Sequence, residues 1–385
     1  MIQRRSAVLL TLAVLLLTTS CRQSGQGAKQ LAEGSSAVQQ ADTNLTFNNI
    51  TLEQADDKGQ TLWKVKAQQA IYSPDQKVAN VRSPDGDIYQ DGKAIYHIQA
   101  QQGEVLKNGD RIFLHGQVVA TDLKSGAVLR GDQLEWQPQA DMLIVRGNLR
   151  GTHPKLKMSA DQAKLQNKQR RVELTGQVIA LTQQEPKARM QTDHLIWEMD
   201  KDLVTIDRPV QVQRLQGDRA IDQAEGKQAE ANLNTKIVKL KQDANLVLSD
   251  PPLQITGNSL IWDLGKQTLT ADQPVKILHR QQQITITADQ GQMELKPKIG
   301  RLNGNVHAVN PQKQSELFAD RLVWDIPTQR MNGEGNIAYS QADPPATVRG
   351  ARALGKLDDN TMVVTGGADG GDGRVVTEIV PKTSK

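Results

Sequence analysis

Cysteine is almost missing from this chain. Cys21 stands alone, so no intrachain disulfide can form. Aromatic residues make up only 3% of the sequence, too few for the stacking platforms that bind single-stranded nucleic acid. Neither sign of charge is in excess, with 47 Lys and Arg against 43 Asp and Glu. That balance excludes nucleic acid as a partner held by phosphate neutralisation. No apolar run reaches the ~20 residues a helix needs to cross a bilayer. The longest, Ala7 to Leu17, is interrupted by Thr11. Phosphate-binding Gly-rich loops, GxSxG and HExxH are all absent. The six histidines are scattered without ligand spacing. Asp56-Asp57 and Asp358-Asp359 sit in turn-like places, and Asp369 and Asp372 in a Gly-rich tail make a weak Ca²⁺ site. We therefore expect no catalytic residue, no metal and no cofactor, and a protein that is not an enzyme.

What the chain has is one short phrase, said ten times. Its clearest copy is Gly257-Asn258-Ser259-Leu260-Ile261-Trp262, and copies begin at Ala67, Ala100, Gly131, Ala160, Thr192, Gly226, Gly257, Ala288, Ala319 and Gly350. The spacing is about 31 residues, a period that signals stacked units, none of which buries its apolar face alone. Trp136, Trp197, Trp262 and Trp324 end four copies, and Leu165, Ala231 and Met293 end the copies between them. The first copy closes on Tyr72 and the last on Gly355. Atypical ends are expected where stacking stops.

Around the phrase the pattern is that of strands. Tyr96/Ile98/Ala100, Leu156/Met158/Ala160 and Ile284/Ile286/Ala288 alternate with polar residues, and a period of two means a strand with one buried face. A second alternating run follows each phrase, for example Val172/Leu174/Gly176/Val178/Ala180, and its central Gly predicts a bend or bulge. Every strand having one apolar face predicts an all-β fold of two layers. We expect an elongated, stacked β-jelly roll, with the Trp alternation reflecting a chain that crosses between two sheets. A parallel β-helix is the alternative. Four Trp among small and medium residues suit either a packed core or a groove for something apolar. Lys155, Lys157, Arg170 and Arg171 are candidates for a rim that meets anionic head groups, or simply for a soluble surface.

The N-terminus resembles a bacterial lipoprotein leader over residues 1–21, with Arg4 and Arg5, an apolar run, small residues and then Cys21 as the lipidated position. The place three residues before Cys21, commonly Leu in such leaders, is Thr18. Residues 22–44 are rich in Gln, Gly, Ser and Ala and read as a flexible linker. Residues 366–385 read as a Gly/Asp-rich hinge and tail.

Leu62-Trp63-Lys64-Val65-Lys66-Ala67, Ala70-Ile71-Tyr72, Gly116-Gln117-Val118 and Leu134-Glu135-Trp136 together resemble the LptC family. The recurring phrase resembles the OstA-type jelly-roll unit shared by LptA, LptC and the N-terminal part of LptD. The LptC-like stretch covers 46–215, and further OstA-like units cover 216–365. The resemblance implies a membrane-anchored periplasmic bridge protein at the inner membrane. It would take lipopolysaccharide from an LptB–LptF–LptG ABC transporter and pass it to LptA or LptD-type jelly rolls docked edge to edge. It also implies that inward residues at matching places contact acyl chains: Leu134, Trp136, Leu195, Trp197, Leu260, Trp262, Leu322 and Trp324. Two other readings stay open, a surface scaffold or adhesin lipoprotein and a polysaccharide-acting β-helix enzyme.

Overall fold

The computed structural model describes residues 45–106, 109–357, 361–366 and 376–378. The leader, Cys21, the 22–44 linker and most of the tail lie outside the described residues. From Thr46 onward the chain forms one compact unit. Its described residues are mostly β-strand, with a short 3-10 turn at Met199–Lys201.

The alternation in the sequence becomes alternation in burial. In Ile284–Ala288 the residues Ile284, Ile286 and Ala288 are buried and the two threonines between them are not. The strand pairings are antiparallel and link segments near in sequence. That is a jelly roll, not a parallel β-helix, in which strands pair in parallel.

Each long strand bends once near its middle, and the two halves join different sheets. Leu156–Gln166 shows how. Residues 156–159 pair with Ile179–Thr182, and residues 162–166 pair with Arg171–Thr175, with a register shift between them. The phrase marks this bend. In every copy the residues before it lie in a first sheet and those after it in a second. The Trp and non-Trp copies therefore cross in the same direction, and the expected link between the Trp alternation and sheet crossing is corrected. One repeat is a whole hairpin. Trp ends every second hairpin because a slimmer neighbour leaves room for its ring.

The return strands bend at Gly-Asn or Gly-Gln pairs held at positive φ, such as Gly304 (φ 76) with Asn305 (φ 44) and Gly335 (φ 76) with Asn336 (φ 46). Only glycine adopts this region freely. A Cβ on Gly304 or Gly335 would also strike the carboxylate of Asp289 or Asp320. Those aspartates are the second letter of the phrase, and they accept hydrogen bonds from Asn305 Nδ2 at 2.8 Å and Asn336 Nδ2 at 2.9 Å. The acidic letter of one strand and the Gly-Asn of the next thus fix each other at the bend.

Candidate functional site

Bending every strand double folds the ladder into a V in cross-section. The closed edge is the line of bends. The open edge lies between two rows of turns. One row joins first-sheet halves, at about residues 122–127, 153–156, 182–188 and 248–253. The other joins second-sheet halves, at about 138–142, 166–171, 198–203 and 232–237. Within a row neighbouring turns bond to one another, as in Met199 N–H to Arg170 O (2.9 Å) and Leu233 N–H to Asp202 O (2.8 Å).

The space between the sheets is mostly filled. All eight proposed contact residues point into it, and none of Leu134, Trp136, Leu195, Trp197, Leu260, Trp262, Leu322 and Trp324 is more than 4% exposed. They belong to one continuous hydrophobic core. The structure does not give them one role. Leu195 and Trp197 line a cavity of about 190 Å³ that reaches the mouth. Leu134 and Trp136 line a remnant of about 30 Å³, shared with Trp63. Leu260, Trp262, Leu322 and Trp324 line neither space and pack the core. A cavity of about 100 Å³ near the C-terminal end is lined by Leu317, Met331, Gly355 and Met362 among others. Two wider, open hollows, about 570 and 610 Å³, lie along the line of bends, and Asp243 borders both.

The phrase itself explains where the interior is empty. Its sixth letter is Trp136, Leu165, Trp197, Ala231, Trp262, Met293, Trp324 and Gly355 in successive copies. The two smallest, Ala231 and Gly355, line the two larger interior cavities. Ala229, the fourth letter of the same copy as Ala231, lines the 190 Å³ space as well, with Ala180 and Ala188 across from it.

The polar groups of the interior are few. The indole N–H groups of Trp136, Trp197 and Trp324 have no acceptor among the described residues. Trp63 differs, since its Nε1 donates to Gln54 Oε1 at 2.6 Å. His153 stacks edge-on against Trp197, with centroids 4.9 Å apart, and His279 lies beside Trp324 at 5.5 Å. Each accepts a backbone N–H at Nδ1, from Lys155 and Gln282, both at 3.2 Å. Burial pushes both imidazoles below their ordinary pKa. At the mouth, burial would raise the Asp122 carboxyl, but the Arg170 guanidinium and the amides of Ser125 and Lys124 hold it below its usual value. Burial, helped by the Asp122 charge, pushes the nearby Tyr96 phenol up to about 12.

Lys155 and Arg170, two of the expected rim cations, are engaged within the protein. Lys155 Nζ lies 2.6 Å from Asp202, and Arg170 Nη1 2.9 Å from Asp122. Sequence reasoning missed these partners. No group of three or more His, Cys, Asp or Glu among the described residues is placed to hold a metal.

These features define a two-sheet β-jelly roll with an apolar slot and a polar mouth. The family model for "Lipopolysaccharide-assembly, LptC-related" matches residues 7–143 and 142–249. The chain belongs to that family of lipopolysaccharide-transport proteins. Among solved structures, LptH of Pseudomonas aeruginosa, described as the LptA homologous periplasmic component of the conserved lipopolysaccharide transport device, is 20% identical over 30% of this chain and 79% of its own, with a TM-score of 0.27. No curated protein matches the chain.

Proposed function

We propose that this chain is a non-enzymatic, membrane-tethered carrier of the lipopolysaccharide bridge. It holds acyl chains between its sheets and leaves the sugars outside the mouth. In this reading Cys21 carries the anchor, and the 46–215 and 216–365 segments form one path. An inner-membrane ABC transporter of the LptB–LptF–LptG type loads it, and a jelly roll of the LptA or LptD type receives the lipid at its far edge.

The observation that carries the reading is the 190 Å³ space lined by Leu156, Met158, Leu174, Leu195, Trp197 and Val212 and reaching the mouth. Each methylene buried there is worth about 0.8 kcal/mol. The indole N–H of Trp197, which borders this space and has no acceptor among the described residues, favours a guest that carries oxygen, since an unpaired buried donor costs about 1–3 kcal/mol. A scaffold or adhesin has no need of such a space.

The test is site-specific photocrosslinking in cells. Probes at Leu195 and Trp197 are expected to capture lipopolysaccharide well above outward-facing probes at Lys157 and Val323. Depletion of the protein is expected to leave newly made lipopolysaccharide at the inner membrane. Equal capture at inward and outward positions would sink the carrier reading.

A further inference from the structure

The two rows of turns are joined to each other along the mouth. Arg170 Nη1 donates to Asp122 at 2.9 Å, Lys155 Nζ to Asp202 at 2.6 Å, and Lys298 Nζ to Asp250 at 2.7 Å. Lys236 Nζ donates to the Glu185 carbonyl at 2.8 Å, and Lys313 Nζ to the Leu357 carbonyl at 2.8 Å. In all five a cation on one row reaches a carboxylate or carbonyl on the other. The partners lie 48, 47, 48, 51 and 44 residues apart. So regular an offset follows from the stacking, because each turn of the first row stands level with a turn about one and a half hairpins further along the second.

The carrier reading places acyl chains inside the slot and sugars outside. The covalent stem between them must then pass through the mouth. A contact that spans the mouth lies directly in the path of such a stem. We infer that these five contacts are clasps, which a lipid moving along the slot opens one at a time and which close behind it. This inference rests on the carrier reading of the same slot.

The chemistry of the clasps suits repeated opening. Four of the five use lysine, a flexible point charge that water can solvate when the contact breaks. Exposed pairs of this kind hold weakly, and Asp250 at the Lys298 clasp is 73% exposed. The Asp122–Arg170 clasp is different. Its side chains are only 7% and 18% exposed, and Arg170 also lies 3.6 Å from Asp200. A buried bidentate-capable guanidinium is harder to release than an ammonium, so this clasp is expected to be the slowest to pass.

The experiment locks one clasp in the full-length chain. Lys298→Cys and Asp250→Cys are joined by a short bis-maleimide that carries a cleavable disulfide. Photocrosslinking residues stand at Leu134 and Leu317, which border interior cavities on either side of the lock, and lipopolysaccharide is supplied from vesicles at one end by the loading complex. The inference expects capture at both positions in the unlocked chain. In the locked chain it expects at least a tenfold loss at one of them, restored when the bridge is cleaved with reductant. Undiminished capture at both positions in the locked chain would overturn the clasps while leaving the carrier intact. Capture in the unlocked chain no greater than at Lys157 would overturn the carrier and the clasps together.

Discussion

Ala231→Met converts one repeat into the likeness of its neighbour, since Met293 holds the same letter two copies later in the alternation. Ala231 borders the 190 Å³ space, and a cavity of about 150 Å³ already admits a benzene ring. The thioether chain therefore has room without overpacking. It would bury the equivalent of two to three methylenes, worth about 2 kcal/mol. Side-chain entropy lost by Met, up to about 1.5–2 kcal/mol, offsets much of this. Folding stability is thus expected to hold level or rise by up to about 1 kcal/mol. A guest acyl chain loses the same space, and with it about 2 kcal/mol, roughly a thirtyfold weakening of Kd. Chemical denaturation measures the first quantity. Titration of lipopolysaccharide followed by Trp197 emission measures the second. Unchanged affinity with the cavity filled would refute the claim that this space holds the guest. A parallel loss of stability would show instead that the substitution had disturbed the fold.

Trp262, 1% exposed and outside the 190 Å³ space, should act only on stability, with Trp262→Ala costing about 3–5 kcal/mol in a denaturant titration. Gly335→Ala forces a side chain into positive φ against Asp320 and should cost about 1–3 kcal/mol, with part recovered by adding Asp320→Gly. His153 and His279 have folded pKa values below the unfolded one of about 6.5. The unfolded chain binds their protons first, so stability is full above that pH and falls as pH drops through it. Thermal melts across pH 7 to 5 should show the fall, and His153→Asn with His279→Asn, which keeps an acceptor near Nδ1, should flatten it. Asp122 is also depressed, but as a carboxylate. Its contribution stands above about pH 3.9 and is lost below it as the folded group protonates, and Asp122→Asn should remove that acid-limb loss.

Much of this fold can be read from the phrase, because each letter has one mechanical task. The small first letter and the acidic second letter sit at the bend. The fourth and sixth point inward, as Leu260 and Trp262 do. Even the main cavity is foreshadowed by Ala231 standing where sister copies have Leu165 or Met293. The Trp alternation misleads, since it looks like a change of sheet and is a change of side-chain volume. The division of labour among the eight inward residues is not legible either. All obey the same period, and only packing against the opposite sheet decides which of them border empty space. The contacts across the mouth are hidden for another reason. Lys155 and Asp202, or Lys298 and Asp250, lie in turns without periodicity and pair across a separation of 47 or 48 residues, which no local pattern records.

That separation has a consequence for the ends. Two sheets slipped by one and a half hairpins cannot finish level. At the N-terminal end the second sheet overhangs, and its own small cluster of Ala67, Ala70 and Val81 stands apart from the main core. At the C-terminal end it is the first sheet that runs on, through Ile337 to Gly350. Among the described residues the two sheets finish like a carpenter's scarf joint, with opposite lips at the two ends.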